Sequence, residues 1–176
     1  LLTVLEGEGL LNDTTALVDL LARLARDAGV GVILNAAPPA VLGGAVMSSI
    51  DYLIVNRSEA LAMTTAPDLD AAAPAVVARA LRARGARTVV MTLGSDGALL
   101  LGPDDEVLVA PAPSVEAVDT TAAGDAFAGA FAVGVAEGLA PAMALRMGAA
   151  PGAIAVTRTG AQPSLPTRRE VDGLAM

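Results

Sequence analysis

Hydrophobic and polar positions change period several times along this chain, and each change predicts an element. Short runs rich in leucine and β-branched residues at 1–5, 30–34, 52–55 and 88–92 read as strands. Between them, 14–28 and 70–84 repeat their apolar residues at helical spacing, and Gly29 and Gly85 follow where a helix C-cap takes a left-handed residue. Strands alternating with helices in this way are the signature of crossover units on a mostly parallel sheet. After Thr92 the pattern becomes strand, turn, strand, strand. The turn is Gly94-Ser95-Asp96-Gly97, the strands are 98–101 and 106–110, and antiparallel edge strands are expected there. Two long helical patterns follow, 123–138 and 141 to about 157, divided by Gly138 and Pro141. The tail 166–171 predicts a short last helix capped by Thr167.

Composition narrows the chemistry. The 176 residues are one domain's worth, 1–176, with enough chain to bury a core. There is no cysteine and no histidine, which excludes disulfides, thiolate and zinc sites and a Ser-His-Asp triad. Any acid or base must therefore be Asp, Glu, Arg or Tyr. A formal charge of −8 and few aromatic residues argue against nucleic acid as a partner and favour a small molecule. The hydrophobic share of 54% owes much to alanine, and no stretch reaches the ~18 uninterrupted apolar residues that a spanning helix needs. With no basic run before a short apolar one, a soluble cytoplasmic protein without membrane association is expected. The chain opens at Leu1 on a strand already under way, which predicts a fragment or a truncated product.

The most informative stretch is Val118-Asp-Thr-Thr-Ala-Ala-Gly-Asp-Ala-Phe-Ala-Gly-Ala-Phe131. Two carboxylates, Asp119 and Asp125, enclose a run of tiny residues that opens into an apolar helix. Such a loop lets an anion approach the backbone, and the helix start adds unpaired N–H groups and a partial positive charge. Taken alone, Asp125 is explained by the macrodipole, which favours an acid in the first turn by ~0.3–1 kcal/mol. Its company points further: phosphoryl transfer needs an acceptor positioned and deprotonated and the charge on the phosphoryl oxygens stabilised. Asp125 and the amides of Ala122, Ala123 and Gly124 supply those parts.

The segment 118–131 resembles the second signature of the ribokinase/PfkB family of carbohydrate kinases, an Asp-Thr-x-(Gly/Ala)-Ala-Gly-Asp loop. The likeness continues through Ala153-Ile-Ala-Val-Thr-Arg-Thr-Gly-Ala-Gln-Pro-Ser-Leu-Pro-Thr-Arg168 to Glu170, where it is nearest the ribokinase branch. The resemblance implies a three-layer αβα sandwich with a mostly parallel sheet and antiparallel edge strands. It implies Asp125 as the base on the sugar hydroxyl, with Ala122, Ala123 and Gly124 holding the transferred phosphoryl. It also implies a monovalent cation, K+, held mostly by carbonyl oxygens at Asp119, Thr121, Ala155, Arg158, Gly160 and Ser164. Without the family likeness, 157–164 reads as an ordinary loop.

Asn56-Arg57-Ser58-Glu59 follows the strand 52–55 and on its own reads as a capping box, Asn at the N-cap and Glu at N3. Its place at the end of a strand, where open α/β sheets bind ligands, points the other way. The family has an Asn-x-x-Glu motif there, associated with magnesium and phosphate, so Asn56 and Glu59 are carried over, Glu59 reaching Mg2+ through water. Thr92-Leu93-Gly94-Ser95-Asp96-Gly97, by itself a Gly-rich turn, is similar to the family's ATP-binding turn. Ala149 stands where these kinases usually have Asn or His near the adenine, and Pro151 predicts a kinked or split helix. Leu5-Glu6 is similar to the end of a strand that presents a sugar-binding glutamate; Glu6 and Asp119 are thus assigned to the substrate with Asp125. Residues 6–13 form a longer segment than the family has.

The likeness covers about 1–174, but only the carboxy-terminal part of such a kinase. The amino-terminal part, with its Gly-Gly sugar motif and the small lid through which the full-length protein would form a homodimer, is missing. The expectation is an ATP-dependent kinase acting on a pentose hydroxyl, D-ribose first, whose fragment binds nucleotide better than it phosphorylates sugar. The alternatives are another sugar or nucleoside kinase of the family and a catalytically silent nucleotide-binding fragment.

Overall fold

The computed structural model describes residues 2–6, 14–64 and 67–175, so most of the segment 6–13 lies outside the described residues. The chain forms two compact units, one of Leu1–Thr92 with Leu99–Leu108 and the other of Leu93–Ala98 with Val109–Met176.

The first unit carries strands β1 (Leu2–Glu6), β2 (Gly31–Asn35), β3 (Tyr52–Asn56) and β4 (Thr88–Thr92) and helices α1 (Thr14–Asp27), α2 (Gly44–Met47), α3 (Arg57–Thr64) and α4 (Pro74–Ala83). The strands from β1 to β4 pair in chain order and in parallel, in registers such as Leu5 with Leu34, Leu34 with Leu53 and Ile54 with Val90. Parallel pairs need a crossover of a dozen or more residues, and the helices between the strands provide it. Val32–Leu34, Leu53–Val55 and Val89–Met91 are all buried, which is why these strands read as continuous apolar runs rather than alternating ones.

The six-stranded sheet is completed by β5 (Ala98–Leu101) and β6 (Val107–Ala110), again in chain order. The connection between β5 and β6 is closed by the Gly102 N–H on the Glu106 carbonyl at 2.9 Å. Links this short leave only antiparallel pairing, as the turn at 94–97 predicts. The helix expected at 70–84 begins at Pro74: proline is tolerated at the first helical position but removes a bond from an interior one, so a 3-10 turn and a bend occupy 67–72 instead. The short α2 has no sequence signal strong enough to predict it.

The second unit is built on α5 (Ala123–Ala136), α6 (Pro141–Ala155) and α7 (Arg168–Ala175). The short link between α5 and α6, with Gly138 left-handed at φ +74°, makes them antiparallel neighbours. Small residues set their separation. A Cβ built on Gly134 would stand 3.1 Å from the Ala144 Cα, and one on Gly148 3.0 Å from the Phe127 ring. Phe127 and Phe131 stack at 6.1 Å between centroids, and Phe131 is fully buried. This packing carries α6 on past Pro151: of the kink or split expected there, the split does not occur, because contacts along the buried face outweigh the missing hydrogen bond. α7 starts after Thr167, the cap expected there, but it is Glu170 that reaches back: its carboxylate accepts the Thr167 N–H at 2.8 Å and the Thr167 hydroxyl at 2.9 Å.

Candidate active site

Residues 118–122 are pinned before α5 begins. The N–H groups of Val118 and Asp119 both donate to the Val156 carbonyl, at 2.7 and 3.1 Å, just past the end of α6. The Asp119 carboxylate then works in two directions. Its Oδ1 accepts the Thr121 hydroxyl at 2.6 Å and the Thr121 N–H at 2.9 Å, and its Oδ2 accepts the Gly160 N–H at 2.9 Å. The Thr121 hydroxyl first, then the Gly160 and Thr121 amides, hold this carboxyl down at about 2.

Ala122 follows in the left-handed conformation, φ 61° and ψ 7°, which a non-glycine residue adopts only where its surroundings impose it. It is the N-cap of α5, with no side-chain cap. The Ala123 N–H donates to the Thr120 carbonyl at 3.3 Å and the helical ladder opens with Ala126 on Ala122 at 2.9 Å. Among the described residues, the N–H groups of Ala122, Gly124 and Asp125 have no protein acceptor. Three free amides at a helix start form a ready anion site. Gly124 keeps it open: a Cβ added there would meet nothing within 4 Å, so packing does not call for the glycine.

Asp125 is exposed in the first turn of α5. Among the described residues its carboxylate has no hydrogen bond and no ion pair, so no structural duty occupies it. It also borders a groove of about 280 Å³, walled by apolar side chains of α5, α6 and α7.

Of the six positions assigned to a monovalent cation, Asp119, Thr121 and Gly160 are joined directly by the bonds above. Arg158 and Ala155 meet through the Arg158 N–H on the Ala155 carbonyl at 3.1 Å, and Ser164 is fully buried, its hydroxyl donating to the Ala161 carbonyl at 2.7 Å. The carbonyls of Thr121, Arg158 and Gly160 accept no hydrogen bond among the described residues. Uncommitted carbonyl oxygens beside a carboxylate are the donor set that suits a hard monovalent ion, and the residues present fit one. Sequence reasoning missed two kinds of support. Val156 contributes only a carbonyl, which leaves no side-chain signature. Gly148 and Gly152 could have been found from the small residues at 144, 148 and 152, spaced to line one helix face.

In the first unit, Asn56 and Glu59 form a reciprocal capping box at the start of α3. The Glu59 N–H donates to Asn56 Oδ1 at 2.9 Å and the Asn56 N–H to Glu59 Oε2 at 2.6 Å. Asn56 is exposed and Glu59 half-buried, and among the described residues Glu59 Oε1 has no partner, leaving one carboxylate oxygen that fits a magnesium-bound water. Thr92 ends β4. In the second unit, Leu93–Gly97 form a 3-10 turn in which the Leu93 N–H donates to the Gly97 carbonyl at 2.8 Å and Gly94, Ser95 and Asp96 are exposed. Gly97, at φ +93°, admits no other residue, because a Cβ would lie 2.0 Å from the Ala110 carbonyl. Ala149 is buried in α6. Glu6 ends β1 opposite Asn35, and its side chain lies outside the described residues.

The pfkB family of carbohydrate kinases matches residues 3–168. Over 153 residues the chain is 37% identical to the ribokinase of Haemophilus influenzae, covering 87% of this chain and 50% of that protein. Over 159 residues it is 39% identical to the ribokinase of Schizosaccharomyces pombe, covering 89% and 50%. Among solved structures, Arabidopsis thaliana ribokinase complexed with ribose and ATP aligns with 99% of this chain and 55% of its own, at TM-score 0.87 and 30% identity. The α/β fold expected from the sequence is therefore the one observed. The chain spans about half the length of the curated relatives it matches.

Proposed function

Because the chain belongs to the pfkB family of carbohydrate kinases, we propose that it takes part in transferring the γ-phosphoryl group of ATP to a hydroxyl of a pentose, D-ribose first. The observation that carries this reading is the unpaired Asp125 carboxylate beside the free amides of Ala122, Gly124 and Asp125. A base needs a lone pair not already committed, and a transferring phosphoryl group needs donors that are not already bonded.

In this reading Asp125 removes the proton of the attacking sugar hydroxyl. The free amides of Ala122, Gly124 and Asp125, with Ala123 between them, and the dipole of α5 stabilise the charge that develops on the phosphoryl oxygens. Residues 92–97 and Ala149 serve the nucleotide. Asn56 and Glu59 orient phosphate and magnesium-bound water, and magnesium would supply charge neutralisation on the phosphate oxygens. The carbonyls of Thr121, Ala155, Arg158, Gly160 and Ser164, with Asp119, would hold K+ beside the anion loop. Glu6 would hold the sugar. Asp119, whose two oxygens already take three donors, serves the cation loop better than the sugar. The similarity to a ribokinase complexed with ribose and ATP supports both substrates. A cytoplasmic location and a homodimer in the full-length protein belong to the same reading.

The test is ribose-dependent phosphoryl transfer from ATP by the protein carrying this sequence, alongside its Asp125→Asn variant. The variant should keep its affinity for ATP and lose ~10²–10⁴ in turnover. Unchanged ribose phosphorylation in the variant would sink the assignment of the base.

A further inference from the structure

We propose that Glu170 of α7, acting through Arg158, is a positioning residue for the cation loop. The inference rests on the cation reading given above. Both oxygens of the Glu170 carboxylate are committed, to two different parts of the second unit. Oε2 accepts the Thr167 N–H and hydroxyl at 2.8 and 2.9 Å, which fixes the carboxylate on the first turn of α7. Oε1 accepts Arg158 Nη2 at 2.5 Å, twelve residues back along the chain. Residue 158 is therefore held twice, by its N–H on the last turn of α6 and by its guanidinium on α7. Its own carbonyl is left between two fixed points and accepts no hydrogen bond among the described residues.

From there the restraint passes along a short stretch of backbone. Gly160, at φ +87°, donates its N–H to Asp119, and Asp119 binds Thr121 by both hydroxyl and amide. Asp119, Thr121, Arg158 and Gly160, four of the six positions given to the cation, thus lie on one continuous chain that starts at Glu170. A carbonyl cage selects its ion by the spacing of its dipoles, and a loop keeps that spacing only where outside contacts fix it. A plain staple for α7 is the competing explanation, but α7 is already fastened by Arg168 to Glu137 at 2.7 Å and by the buried Val171. The Glu170–Arg158 bond therefore acts on 157–160, the stretch that carries Arg158 and Gly160.

Glu170→Gln and Arg158→Met break the ion pair, and Arg158→Lys keeps a cation in place as the conservative control. Two measurements decide. The first is amide hydrogen exchange without added potassium: the Gly160 N–H should exchange severalfold faster in the two breaking variants, with Val171 unchanged and Arg158→Lys nearer wild type. Unchanged Gly160 exchange, or acceleration equal along α7, overturns the proposal. The second is a potassium titration of melting temperature and of ATP affinity, against sodium. The half-saturating potassium concentration should rise ~10-fold or more in the breaking variants. A wild-type protein indifferent to potassium sinks the cation reading and the role of Glu170 with it. A responsive wild type with an equally responsive Glu170→Gln sinks this inference alone.

Discussion

Gly152 on α6 lies against the backbone of Ala123 at the head of α5: a Cβ placed on Gly152 would come within 3.3 Å of the Ala123 carbonyl oxygen. Backbone cannot swing aside as a side chain can, so the cost falls on the anion loop. Gly152→Ala should destabilise the protein by ~1–3 kcal/mol, the ordinary range for overpacking, and shift the amides of 122–124. Gly129→Ala is the control, since its Cβ would meet nothing within 4 Å, and relief of the helix-interior glycine should add ~0.5–1 kcal/mol. Denaturant unfolding of both variants checks the pair. Equal effects would mean that the α5–α6 seam is looser than described.

Gly124 separates folding from function in one substitution. The built Cβ has open space around it, so Gly124→Ala should fold with stability equal to or slightly above wild type. That open space is also where an anion would approach the free amides of 124 and 125. ATP-dependent transfer should therefore fall by ~10-fold or more, because the added methyl keeps the phosphoryl group from the oriented amides, although the N–H itself remains. A variant that keeps full turnover would show that the phosphoryl group does not approach this face of the loop.

The sequence reveals the fold through period and punctuation, and reveals the site only in part. The strand at 88–92, Gly29 and Gly85 as C-caps and the Thr167 cap are local chemistry, and local chemistry is written in neighbouring residues. The helix expected from 70 starts at Pro74 because apolar spacing continued upstream of a residue that defines a first turn. Pro151 does not end α6 as a local breaker can, since a helix packed by Ala144, Gly148 and Gly152 continues past it. The bond from Gly160 to Asp119 spans 41 residues and uses a backbone N–H, so no side-chain pattern announces it. Asp125 stands out as a candidate in the sequence because the loop around it lacks bulk, and the structure adds only that its carboxylate has no partner among the described residues.

Glu59 combines a structural bond with a proposed ligand role, and charge removal tells them apart. Glu59→Gln retains a side-chain oxygen that can accept the Asn56 N–H, so the capping box survives and the melting temperature should hold. Glu59→Ala loses the box and should cost about 0.5–2 kcal/mol. If Glu59 orients magnesium-bound water, Glu59→Gln should raise the magnesium concentration needed for ATP binding although stability is intact. A magnesium requirement identical to wild type would reduce Glu59 to a cap.

Asp119 predicts a specific acid sensitivity. Hydrogen bonds from the Thr121 hydroxyl, the Gly160 amide and the Thr121 amide lower its folded pKa from 3.8 to about 2. A depressed carboxyl stabilises the folded state wherever the unfolded chain would also be ionised, so its contribution is complete above about 4. As pH falls toward 2 the unfolded state takes up the proton first, and that contribution is progressively lost. Asp119→Asn cannot titrate, and its amide replaces an acceptor with a donor facing other donors. The stability gap between wild type and variant should thus be constant above about pH 4 and narrow between pH 4 and 2. Glu170, lowered from 4.5 to about 2 first by Arg158 and then by Thr167, titrates over a similar range but is present in both proteins, so it cancels from the difference. Chemical denaturation of both proteins from pH 6 to pH 2 measures the gap. A gap that stays flat throughout would mean that Asp119 does not hold the Gly160 loop in solution.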